Sequence, residues 1–199
     1  MRPILACAFS AALVACATPG TKPSDMSAEG HEAAAVGWTA GVSDPSRAGV
    51  APEVAAAHRA AAQALRDAEA RSCQGLAAAD RDTSPFEHSP DIEGAAPLYS
   101  RFASSKSGAQ RKQIGATVRF RAVRGLTREW LQRIIDCHLA RNSALGNVAS
   151  EMAVCPLVLK GVHAEVRSAG AGFEVDMNSE EPGVSDQILA RAQRLVIAP

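Results

Sequence analysis

"GATVRFRAV", residues 115–123, is the stretch whose reading decides the fold. Ala116, Val118, Phe120 and Ala122 fall on one face, and Thr117, Arg119 and Arg121 on the other. Alternation of this kind predicts a strand with one face buried and one wet. Downstream, Gly125 interrupts the chain, Thr127 stands where a helix N-cap belongs, and Glu129 falls in the first turn. Trp130, Leu131, Ile134, Ile135, His138 and Leu139 then recur at helical spacing. "VHAEVRS" (162–168) alternates again, with Val162, Ala164 and Val166 inward. "AGAG" turns the chain, and "FEVDMN" (173–178) returns with Phe173, Val175 and Met177 inward. Ser185 is placed to cap a last helix with the stripe Ile188, Leu189, Ala192, Leu195 and Val196.

The order over residues 114–199 is therefore β-α-β-β-α. A right-handed crossover from the first strand to the second leaves a slot for the third, with both helices on one face of an antiparallel sheet. On the wet face, Glu174 and Asp176 of the middle strand then lie between Arg119/Arg121 and His163/Arg167. Cross-strand pairs of opposite charge each stabilise by about 0.2–1 kcal/mol. The expected class is α+β: an Ala-rich N-terminal helix followed by a small sandwich. In element order the segment resembles ferredoxin-like heavy-metal-associated domains, which bind metal through C-x-x-C after the first strand. Here that loop reads "VRGLTREW" and holds no cysteine, so the resemblance does not carry that activity. Residues 126–196 are also similar in outline to BON modules, envelope domains associated with phospholipid surfaces. The glycine expected after the second hairpin strand is replaced by Met177-Asn178.

Upstream, residues 76–113 are rich in Pro, Gly, Ser and charge and hold no period, which predicts a long irregular loop, either functional or partly disordered. Asp80, Asp82 and His88 do not match a calcium-loop pattern. Pro52 suits the first turn of an Ala-rich helix over 51–75, with Val54, His58, Ala61, Leu65 and Ala68 on its stripe. An alanine stripe packs closely but buries little area, so this helix is expected to rest on another element, with His58 as a packing histidine. Residues 16–50 read as a flexible tether. His31-Glu32 lies in it, without the second histidine of H-E-x-x-H.

Residues 1–15 carry Arg2 and an apolar run from Ile4 to Ala15, shorter than the ~20 residues a spanning helix needs. The run ends "LVAC", Leu13 to Cys16, and here the chain resembles bacterial lipoproteins. The resemblance implies cleavage before Cys16, its acylation, and anchoring by several lipid chains. Ala17 follows, in place of the aspartate that marks inner-membrane retention, so the resemblance implies the periplasmic face of the outer membrane. Lys and Arg number 21, as do Asp and Glu, and aromatics make up 4%. A neutral chain so poor in aromatics lacks the basic footprint and stacking platforms of nucleic-acid binders. The expected partners are the membrane, through the lipid, and an envelope protein or phospholipid.

Three cysteines remain beyond the signal and Cys16: Cys73, Cys137 and Cys155. In an oxidising envelope two of them pair. Cys137 with Cys155 is the favoured pair, closing a short loop at about 3 kcal/mol, while Cys73 with either partner stays open. Cys137 and His138 are neighbours on a helix, about 100° apart, and do not face one another. His138 is thus a poor base for that thiol and reads as a core histidine. The alternative is a soft-metal site for Zn²⁺ or Cu⁺ built from Cys137, His138 and Cys155, completed by Cys73 or His163. No G-x-S-x-G, P-loop, G-x-G-x-x-G or S-x-x-K occurs. The expectation is a non-enzymatic binding or scaffolding protein without a cofactor.

Overall fold

The computed structural model describes residues 27–40, 48–87, 89–100, 111–148 and 154–197. The chain divides between Gln63 and Ala64 into two compact units. The first holds α1 (Ala28–Ala40) and the start of α2 (Ala51–Ser72). Residues 27–40 thus correct the reading of 16–50 as a tether throughout: Ser27 caps α1, accepting from the Gly30 amide at 3.1 Å. Cys16, with the expected signal and lipid, lies outside the described residues.

The second unit is the α+β body. After α3 (Ala78–Asp82) come β1 (Ile92–Tyr99), β2 (Gln113–Phe120), α4 (Arg128–Ala144), β3 (Val162–Ala169), β4 (Gly172–Ser179) and α5 (Val184–Ile197). The strands form an antiparallel sheet in the order β1-β2-β4-β3, so the hairpin strand β4 fills the slot beside β2 as the crossover argument requires. α5 packs on β1 and β2, and α4 on β3. Ala116, Val118, Phe120, Leu131, Ile135, Val166, Val175, Met177, Ile188 and Ala192 meet in the core between them. Thr127 is the N-cap of α4, accepting from the Trp130 amide at 3.2 Å. Ser185 lies inside the first turn of α5 and does not precede it.

The fourth strand, β1, comes from the segment read as irregular. "IEGAAPLY" has Gly, Ala and Pro where strands favour branched or aromatic residues, so local propensity speaks against it. Its place at the edge resolves the conflict, because an edge strand needs only one side of its backbone paired. Pro97 and two register shifts, at Ile92/Gly94 and Leu98/Tyr99, also make this edge a poor template for another strand. The opposite edge is guarded differently. Gln132 of α4 donates to the Ala164 carbonyl at 3.1 Å and accepts from the Val166 amide at 2.6 Å, standing in for a neighbouring strand.

On the wet face, Glu174 lies between Arg119, at 2.7 Å, and Arg167, at 2.8 Å. Arg167 also reaches Asp176 at 2.7 Å. Alternation therefore placed four of these charges correctly. Arg121 turns instead to Asp91, at 2.7 Å, and His163 stands opposite Asn178 in the register.

Candidate functional site

The cysteines correct the sequence reading first. Cys73 is bonded to Cys137, and Cys155 is a buried free thiol, so Cys137–Cys155 is not the pair. Cys137 points off α4 toward the chain leaving α2, whereas Cys155 sits at the start of a 3₁₀ turn in the core. The bridge joins residues 64 apart in sequence. Sequence spacing favoured the shorter loop; the fold brings the end of α2 against α4 instead. Burial pushes the Cys155 thiol up, and its near contact is Ser84 Oγ at 3.9 Å. A protonated, enclosed thiol is a structural group and not an activated nucleophile.

His138 is buried as expected, and its Nε2 bonds to the Thr83 carbonyl at 2.8 Å. Burial holds its pKa below the ordinary imidazole value, against the pull of that carbonyl. With Cys137 oxidised, the soft-metal set of Cys137, His138 and Cys155 loses a thiolate, and no metal-holding group of three or more His, Cys, Asp or Glu occurs among the described residues. Asp82 is likewise committed, to Arg141. His88 lies outside the described residues.

These bonds have one joint consequence: residues 73–87 and 89–91 form a strap across α4. The disulfide fixes its start, and Arg133 donates to the Gln74 carbonyl just after it. Arg141, buried on α4, donates to the Arg81 carbonyl at 2.7 Å and pairs with Asp82 and with Glu69. His138 holds Thr83, and Arg121 holds Asp91 through two donors on one carboxylate oxygen. A guanidinium suits this work because its planar fork serves several acceptors at once.

Between strap and body lies a recess of about 410 Å³. Its walls are Phe120, Val123, Leu126, Trp130, Leu131 and Ile134 from the body, with Ala79, Asp80, Thr83, Pro85 and Asp91 from the strap. The volume falls in the range of small-molecule sites, and mainly apolar walls with a few polar groups are their usual chemistry. Arg133 lies over the Trp130 ring at 5.5 Å, which steadies the indole. A second recess of about 320 Å³ opens on the wet sheet face where Gly94 and Ala96 leave room beside Arg119. Arg119 and Arg167, which line it, already pair with Glu174.

Sequence reading had Trp130, Leu131 and Ile134 on one stripe and treated that stripe as core. Leu131 and Ile134 are buried as that reading expects; what it missed is that half-buried Trp130 keeps an open side under the strap. The available signal was the length of the 76–113 connection, which left a functional loop and partial disorder both open.

Fold and site together define a small α+β protein with helices on one sheet face and a disulfide-strapped apolar recess at its end. No family model, curated protein or solved structure matches the chain.

Proposed function

We propose that this chain is a lipid-anchored, non-enzymatic binding protein of the bacterial envelope, holding a partner with an apolar group in the Trp130 recess. The recess carries the reading: it is lined by aromatic and aliphatic side chains and braced on the strap side by a disulfide, a buried arginine and a buried histidine. A binding site that is already shaped spends little free energy on ordering when its ligand arrives. The anchor and the periplasmic face of the outer membrane rest on the resemblance of "LVAC" and Cys16 to lipoproteins. The Cys73–Cys137 bridge supports an oxidising compartment, where such bonds persist.

The test uses the neutral apolar dye N-phenyl-1-naphthylamine on the full chain. Its fluorescence is expected to rise and saturate at one dye per chain. Ala79→Trp, which fills the recess from an exposed position on the strap, is expected to weaken the dye at least tenfold with an unchanged melting temperature. In cells, Cys16→Ser is expected to move the chain from the membrane to the soluble fraction. Equal dye binding by wild type and Ala79→Trp would remove the recess from the account, and membrane retention of Cys16→Ser would remove the anchor.

A further inference from the structure

Two histidines that the sequence set aside meet inside the first unit. His31 of α1 and His58 of α2 are both buried, 0% and 3% exposed, and their Nδ1 atoms lie 2.9 Å apart. The rings are tilted by 46°, with centroids 5.2 Å apart. Buried Ala28 and Ala35 flank His31 on α1, and buried Ala55 and Ala62 flank His58 on α2. Spacings of three and four residues put each set on one helix face, a seam of small side chains interrupted by one imidazole from each helix.

The geometry sets a proton count. A neutral imidazole has one N–H donor and one bare acceptor nitrogen, whereas an imidazolium has two donors. An Nδ1–Nδ1 hydrogen bond therefore requires one ring to donate and the other to stay bare at Nδ1. The first added proton can sit on the outer nitrogen of the donating ring and leaves the bond intact; a second makes both rings imidazolium, with N–H facing N–H and two like charges in contact away from water. The groups flanking the pair on its own faces are alanines. Beside the pair in sequence stand Glu29 and Glu32 on α1 and exposed Arg59 on α2; Glu29, Glu32 and His31 itself have further partners.

We propose that His31 and His58 form a pH-sensitive clasp that holds α1 to α2 at neutral pH and releases it on acidification. Burial already depresses His58, the direction expected of an imidazole kept bare. The clasp is closed above the ordinary imidazole value of about 6.5 and opens as pH falls below it toward the lowered folded value. It is independent of the Trp130 recess. On the proposed anchored chain, opening would free the segment next to the membrane tether.

Hydrogen exchange of the α1 amides, resolved by residue on the full chain and corrected for the intrinsic pH dependence of exchange, tests this. Local readout is needed because His138 also loses its bare state in acid and affects the body. From pH 8 to pH 5, protection of Glu29–Ala40 is expected to fall at least tenfold in the wild type. His58→Gln keeps a hydrogen-bonding side chain that does not titrate, and its α1 protection is expected to change less than twofold. His31→Leu/His58→Leu, an apolar seam, is expected to behave the same way. PH-independent protection in the wild type would overturn the clasp, as would an equal loss in either variant.

Discussion

Replacing Cys73 and Cys137 together by serine is expected to lower unfolding stability by about 4 kcal/mol, read from urea unfolding of both proteins. The bridge closes a loop of 64 residues, and the chain-entropy estimate for a loop of that size is about 4 kcal/mol at room temperature. That loop takes in the strap, the first two strands and the first half of α4, so the unfolded chain gains freedom over much of the body. The loss is expected as a lower midpoint with a larger m-value, since a chain without the cross-link exposes more surface. Dye binding at the recess is expected to weaken as well, because the bridge fixes one end of the strap while Arg141, His138 and Arg121 hold the rest. A change below about 1 kcal/mol would mean that the bridge does not constrain this chain.

Gly115→Ala is expected to cost about 3 kcal/mol or more, although it is the smallest change available in a strand. A Cβ at Gly115 would sit 1.8 Å from the Met177 carbonyl oxygen and 2.9 Å from the Asn178 Cα. Both obstacles are backbone of β4, so no side chain can swing aside. β2 and β4 would have to separate at the centre of the sheet, where Val118 faces Val175 and Arg119 faces Glu174. Overpacking that side chains absorb costs about 1–3 kcal/mol, and here there is none to absorb it. Thermal unfolding of the variant reads this directly; a melting temperature within 2 °C of wild type, equivalent to about 1 kcal/mol or less, would show that the strands meet differently.

The sheet core was legible because its strands alternate strictly. Val118, Val175 and Val166 stand in one row across three strands, as alternation alone places them. The two covering helices and the crossover order followed from the same pattern, and Thr127 from cap chemistry. β1 was not legible, since Gly94, Ala95, Ala96 and Pro97 carry no strand signal and become a strand only by pairing with β2. The recess and the clasp share a different reason. Each depends on contacts between residues far apart in sequence: Trp130 with the strap, and His31 with His58. Helical periodicity marks such residues as facing something, but it does not say what they face. His31 was hidden further by an Ala- and Gly-rich surrounding that reads as a tether until a second helix lies against it.

How the strap is tied decides whether the recess exists, and the sulfurs report it most directly. The full chain is alkylated without reduction, folded and then denatured, digested and mapped by mass. Expected is one peptide pair joining Cys73 to Cys137, with Cys155 alkylated only after denaturation, as its burial requires. A pair joining Cys137 to Cys155, with Cys73 alkylated in the folded chain, would contradict it: the strap would lose its anchor on α4, and the recess its outer wall.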